Sequence, residues 1–314
     1  MTYIVHSTLA SMLLAGAAAT AYADAASGFD VAVGAQYDST HVYVAPGDMD
    51  AFVNAFTATF GGKASQRGEG NVLPVPSHAA LQYVMSPVGT LSVFGFDTPL
   101  PYPFGSERTG YLVSDMDRAL RAAQDSGAEI LVAAFRDPIG IDAVIRWPGG
   151  VETQLYWHFS APNYPPLATI PDNRVYLSAD KADEFVHDFL RFSRGRLLSD
   201  ERHADAAEID RPGESYRCIR IASGFGQMQV LVTDGHLPYP FGREVTGYQV
   251  SDLAATLARA RAAGVTVLTA PYDGEDRSSA MLQFPGGYIA EVHAPRVPHT
   301  AGSRQGVDAQ ASGR

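Results

Sequence analysis

The sequence predicts an α+β chain of two tandem halves, each made of two β-α-β-β-β units. Three observations lead there. First, LPYPFG occurs at 100–105 and again at 237–242, 137 residues apart (237 − 100). Second, the likeness extends outward. LPYPFGSERTGYLVSD at 100–115 matches LPYPFGREVTGYQVSD at 237–252, and WPGGVETQL at 147–155 matches FPGGYIAEV at 284–292. Third, HVYVAPGDMDAFVNAFTATFGG at 41–62 faces RVYLSADKADEFVHDFLRFSRG at 174–195, now at an offset of 133 (174 − 41). The loop between therefore differs in length between the copies. A period this long means tandem domains, because solenoid repeats run ~20–50 residues.

The elements follow in order. His41–Val44 is a β-branched and aromatic run, and Pro46-Gly47-Asp48 punctuates it. Phe52, Phe56 and Phe60 then recur at i, i+4 and i+8, the apolar stripe of a helix. Gly61-Gly62 ends that helix in the left-handed position glycine favours. Ala79–Ser86 and Thr90–Phe96 read as strands joined by a turn with Pro87 and Gly89. LPYPFG connects to the strand Gly110–Val113. Ser114, with Asp117 three residues on, predicts a helix start, and the helix stops at Gly127. Glu129–Ala133, Ala143–Trp147 and Val151–Tyr156 complete the half. The second half repeats the order, with Phe185, Phe189 and Phe192 on its first helix and Leu253 and Leu257 on its second. LPYPFG is thus the connector between two units within a half. The boundary between halves is the proline-rich APNYPPLATIPDN at 161–173.

Bulk numbers fit this division. The chain has 314 residues, 46% hydrophobic and 18% charged, which describes a globular protein. A net charge of −11 with no basic patch argues against a nucleic-acid partner. The single Cys218 excludes an intrachain disulfide and a multi-cysteine zinc site. Residues 1–23 read as a signal peptide, with an apolar run from Leu9 to Ala19 and Ala21-Tyr22-Ala23 as the small-x-small cleavage pattern. Its n-region carries no Lys or Arg, only the terminal amine and His6. The run is too short for a membrane span. Periplasmic or secreted location is expected, with cleavage after Ala23. The resulting division is a first domain at 32–160, a linker at 161–173, a second domain at 174–294 and a disordered tail at 295–314.

These segments together resemble the vicinal oxygen chelate superfamily, the glyoxalase/bleomycin-resistance/extradiol dioxygenase fold. The residues that carry the resemblance are THVYVAPGDMDAFVNAFTATFGG, the pair TGYLVSDMDRALRAAQDSGAEIL and TGYQVSDLAATLARARAAGVTVL, and the PGGVETQL and PGGYIAEV endings. The match covers roughly 38–158 and 171–294. It implies tandem glyoxalase-like domains in which paired units wrap a sheet into a cup. It also implies metal ligands of His or Glu type on first and last strands. A metal held by three or four such donors keeps positions open for a substrate that chelates through two oxygens. Zn, Ni, Mn or Fe are the candidates, with a metal-free cup as the alternative.

Carried over by position, the first half offers His41, Ser92, Arg108 and Gln154, and the second half Arg174, Gln229, Val245 and Glu291. Neither is a full ligand set. Only Glu291 matches an extradiol dioxygenase iron site, so that activity is not expected. His41 is the leading candidate, as ligand or general base, because neutral imidazole serves both. Gln154 can offer its carbonyl to a metal or its amide to a substrate. Glu152 shares a strand face with Gln154 by the period-two rule and would join His41 in a shifted register. Arg108 would bind a substrate carboxylate or form a surface ion pair. Arg174 and Glu291 fall at opposed metal positions, where a salt bridge would replace an ion. His158 and His293 lie just beyond last strands. Tyr102, Phe104, Tyr111 and Trp147, with copies Tyr239, Phe241, Tyr248 and Phe284, are expected mostly in the core. Two functions stand open: an exported lyase or isomerase acting through His41, and a metal-free protein that sequesters a small molecule. The ligand positions assign the working site to the first half. Oligomeric state is not legible.

Overall fold

The structure, a computed structural model, describes residues 30–274 and 277–296. The signal segment, and the tail beyond Arg296, lie outside the described residues. The first half holds β1 (Ser39–Tyr43), α1 (Met49–Phe60), β2 (Lys63–Ala64), β3 (Gly68–Gly70), β4 (Ala79–Ser86) and β5 (Gly89–Phe96). Its second unit holds β6 (Thr109–Leu112), α2 (Met116–Asp125), β7 (Glu129–Arg136), β8 (Gly140–Arg146) and β9 (Glu152–His158). The second half holds β10 (Asp172–Leu177), α3 (Ala179–Ser193), β11 (Arg196–Asp205), β12 (Ser215–Ser223) and β13 (Gly226–Val232). It closes with β14 (Val245–Gln249), α4 (Leu253–Ala262), β15 (Thr266–Val267), β16 (Tyr272–Asp273), β17 (Arg277–Gln283) and β18 (Ile289–Pro295).

Each half forms one nine-stranded sheet, ordered β2-β4-β5-β1-β6-β9-β8-β7 in the first and β11-β12-β13-β10-β14-β18-β17-β15 in the second, with β3 and β16 attached at the side. The two units of a half join at antiparallel first strands, β1 with β6 and β10 with β14. Within a unit the first strand runs parallel to the last, β1 to β5 and β6 to β9. LPYPFG lies between β5 and β6, and its copy between β13 and β14. Both carry a cis Tyr–Pro bond, and Gly105 and Gly242 take positive φ of 88° and 86° at the turn.

Three details differ from the sequence expectation. The cap of α2 is Asp115, whose carboxylate accepts from the Arg118 backbone N–H at 2.8 Å. Ser114 instead bonds the Asp30 carbonyl. A carboxylate is the better cap because it also answers the positive end of the helix dipole. Strand β10 starts at Asp172, inside the linker segment, and Pro295 belongs to the last strand rather than to the tail.

Both cores are shared between the halves. In one, the Phe52, Phe56 and Phe60 stripe of α1 packs on Tyr248 and Phe284 of the second half. In the other, Phe189 and Phe192 of α3 pack on Trp147 of the first half, and Phe225 stacks on Tyr111 at 4.4 Å. Each such ring stabilises by about 1.5–3 kcal/mol when fully buried. The helices therefore lie between two back-to-back sheets, which leaves each sheet's other face free to form a cup. Alternation along β1 makes this concrete. Val42 points into the core, and Ser39, His41 and Tyr43 point into the cup.

Candidate functional site

The first cup encloses a cavity of about 210 Å³. Its walls are largely aromatic: Tyr43, Phe94 and Phe96 from β1 and β5, Tyr83 from β4, Phe135 from β7 and Tyr156 from β9. Tyr43 and Phe94 stack at 5.2 Å, and His41 meets the Phe94 ring edge-on at 5.7 Å. The 161–173 segment closes one side. It is held by the Ala168 N–H on the Pro87 carbonyl at 2.7 Å, and its Tyr164 reaches the cavity. Phe104 of the LPYPFG connector also lines the cup, whereas Tyr102 and Tyr239 are exposed and Tyr111, Trp147, Tyr248 and Phe284 are core.

Polar groups gather at the floor. His41 is 2% exposed, and its Nδ1 has no hydrogen-bond partner among the described residues. That nitrogen stands 3.7 Å from Oε1 of Glu107, a residue with no exposed surface. Glu107 also accepts from the Tyr43 hydroxyl, and its Oε2 is unpartnered. Burial and then the Glu107 charge push the Tyr43 hydroxyl well up. Gln154 lines the cavity and is hydrogen-bonded to Asp142, whose carboxyl is pushed well up by burial and then by the Asp137 charge. His158 also lines the cavity, and burial holds its imidazole down.

The structure thus brings His41, Ser92 and Gln154 to one cavity, with Asp137 and Asp142 as lining members the sequence reading missed and Glu107 behind His41, outside the lining. It does not bring Arg108 or Glu152 there. Arg108 points into a separate cleft of about 110 Å³ with Tyr43, Glu244 and Tyr288. Glu152 accepts from the Tyr102 hydroxyl and lies outside the cavity lining. The same register that sets Gln154 beside Gly110 keeps Glu152 away. Half-buried Glu244 is held at about 8 by burial and by its neighbours Glu107 and Glu152, against the pull of Arg108.

The equivalent positions of the second half form an ion-pair network. Arg174, 1% exposed, donates to Glu291 at 2.9 Å and to Glu208 at 2.7 Å. Arg277 pairs with Glu208 and donates to Gln229 at 3.1 Å, and Gln229 donates to Asp172 at 2.9 Å. His293 contacts the other oxygen of Glu291 at 2.7 Å. Val245 is buried against Met281 and Ile289 and takes no part. Burial pushes Glu291 up, but Arg174, His293 and Arg277 overcome it and hold the carboxyl at about 2. Burial pushes His293 down, but Glu291 and Asp172 reverse this and raise it.

Asp172, Glu291 and His293 have ligand atoms within 4.8 Å of one another, a spacing that suits a metal ion. The charges around them do not. Three carboxylates (Asp172, Glu208, Glu291) already face two guanidiniums and, when protonated, the His293 imidazolium. A divalent cation would need His293 neutral and would turn a balanced cluster into one with a net charge of +1 (−3 + 2 + 2), a buried excess that low dielectric penalises. The second cup therefore does not fit a metal while the arginines hold these acids.

Comparisons with known proteins agree on the fold. No protein-family model matches the chain, and no curated protein matches it. Solved structures do. A mutant of 4-hydroxymandelate synthase from Streptomyces coelicolor superposes with TM-score 0.55 at 11% identity, over 85% of this chain and 93% of that one. The Mn(II)-bound glyoxalase from Novosphingobium aromaticivorans gives 0.53 at 12% identity, over 84% and 82%. A xylose isomerase-like TIM barrel/4-hydroxyphenylpyruvate dioxygenase fusion protein gives 0.53 at 15% identity, over 87% of this chain but only 50% of that one. All three share the vicinal oxygen chelate fold, and the present chain has that fold in tandem.

Proposed function

We propose that the protein holds one small, ring-bearing molecule in the first cup, with the second half as a structural partner. The observation that carries this is the contrast at matched positions. His41 and Gln154 open onto a cavity walled by aromatics, whereas Arg174 and Glu291 close on each other. A cavity of about 210 Å³ suits a ligand built on a single ring. Apolar walls with a few convergent polar groups are the usual make-up of a small-molecule site. An imidazole such as His41 can serve as a general base toward a bound molecule, with Glu107 3.7 Å from Nδ1 to orient the ring. The test is ligand-observed NMR of the full chain with single-ring compounds. Binders are expected, and Ser92→Phe, which fills the cavity, should abolish them. An absence of binders, or binding that survives Ser92→Phe, would overturn the proposal.

A second reading, metal-assisted lyase or isomerase chemistry in the same cup, is favoured by one observation. His41 Nδ1 and Glu107 Oε2 are both buried without a hydrogen bond among the described residues, and Gln154 lines the same cavity as His41. A divalent ion (Zn, Ni, Mn or Fe) held there would polarise a ligand oxygen. Elemental analysis of purified protein, and a metal-induced rise in Tm that His41→Ala removes, would support it; no stoichiometric metal and no such rise would end it. Export to the periplasm or medium is proposed from the Leu9–Ala19 run and the Ala21-Tyr22-Ala23 pattern. N-terminal sequencing should find Asp24 first, and a mature protein that begins at Met1 counts against export.

A further inference from the structure

We infer that the molecule held in the first cup is a protonated amine that carries one ring. The inference rests on the proposal that this cup is the binding site, and four observations narrow the ligand class. No Lys or Arg is among the side chains that line the cavity, so a carboxylate or phosphate would find no permanently charged partner there. Two acids, Asp137 and Asp142, do line it, and a third, Glu107, sits against His41 and Tyr43. Buried carboxylates are normally paired with a cation or a metal. Asp142 is 9% exposed, yet it forms no ion pair within 4.0 Å among the described residues, and its side-chain partner is the neutral amide of Gln154.

The walls supply the third observation. Tyr43, Tyr83, Phe94, Phe135, Tyr156 and Tyr164 surround the space from four strands, a strand end and the linker. The negative faces of aromatic rings attract organic cations by about 0.5–2 kcal/mol each when water is excluded. Fourth, His41 is buried, lines this cavity, and its Nδ1, 3.7 Å from Glu107, has no hydrogen bond among the described residues. An imidazole nitrogen can accept from an ammonium N–H, which a quaternary cation would not offer. Arg108 does not change the balance. It lies in the separate cleft beyond Tyr43, which Glu244 also lines.

The second cup supports the argument by contrast. There every buried acid of the cluster meets Arg174, Arg277 or His293, so the chain itself provides the cation. In the first cup the acids are present and the cation is missing. The ligand would supply it.

The experiment compares three probes of one size on chelator-treated full-length protein near pH 7: 2-phenylethylamine, 2-phenylethanol and phenylacetate. Calorimetry should show the amine bound at least tenfold more tightly than the alcohol, and phenylacetate weakest. Asp142→Asn and Glu107→Gln should each weaken the amine more than the alcohol and narrow the gap. If the alcohol binds as well as the amine, or phenylacetate binds best, the amine inference is overturned while the small-molecule cup stands. If neither variant narrows the gap, the acids are not the recognition element and the inference fails. If no probe binds, both proposals fail together.

Discussion

The two cups share strand order, register and connector, yet one is open and the other is internally neutralised. Position by position, His41 becomes Arg174, Ser92 becomes Gln229 and Gln154 becomes Glu291. Ser39 becomes Asp172, and a short helical turn, Ala206–Ile209, brings Glu208 in to bridge both arginines. The difference teaches that the sheet fixes where side chains converge, while the choice of charge decides whether they converge on a ligand or on each other. A network of matched ions satisfies itself. A floor of acids, two imidazoles and an amide does not.

The largest expected break of this contrast is Arg174→Ala. It leaves Glu291 and Glu208 buried without their main partner, and removal of one member of a buried pair costs about 3–5 kcal/mol. Chemical denaturation should show a loss of that size, whereas a double change, Arg174→Met with Glu291→Leu, should recover much of it. His41→Ala is expected to do the reverse. Denaturation should shift far less, because Nδ1 of His41 has no hydrogen bond to lose. Affinity for a first-cup ligand should fall by about tenfold or more, the scale of one good polar contact.

Acid should separate the cups by sign. Glu291 is held at about 2 when folded, below the ~4.3 of an unfolded Glu. Its stabilisation is therefore full above about pH 4.3 and is lost as pH falls toward 2. His293, raised when folded, adds stability that is full below its unfolded value near 6.5 and disappears as pH rises through the folded value. Asp142 is raised when folded, so acid relieves it and rising pH penalises it. Hydrogen-exchange protection factors at about pH 2.5 against about pH 5, where His293 stays protonated and Glu291 loses its charge, should fall more in β10 and β18 than in β8 and β9. Equal loss in both would contradict the sign. The smallest expected effect is Arg108→Ala. Because it lies in its own cleft, affinity of the first cup for a neutral ring compound should change by no more than about twofold, as for independent sites.

Much of this was legible in the sequence, because period and repetition report backbone geometry directly. The phenylalanine stripes gave α1 and α3, and the offset between copies aligned β1 with β10 closely enough to oppose Arg174 to Glu291. The missed residues come from turns and from agreement between copies. Glu107 and Glu244 occupy the same place after LPYPFG, and an acid retained in both copies beside a strand start was the available signal. Positions where the copies differ do not include it. Asp137 sits at the β7–β8 turn, where no periodic pattern announces an inward carboxylate, and Asp142 lies inside β8, one residue before the run read as a strand from Ala143. Glu208 arrives on a turn that the first half lacks, so no alignment of halves could place it. Glu152 was misplaced because alternation fixes a face but not the row along the strand.

The most direct test of the contrast is a crystal structure of the full chain soaked with a mixture of single-ring compounds. The account predicts density for one ring inside the first cup, against His41, Tyr43 and Phe94, with the Arg174–Glu291 pair intact and no compound in the second cup. Density in the second cup with that pair broken open, or an empty first cup at saturating compound, would contradict it.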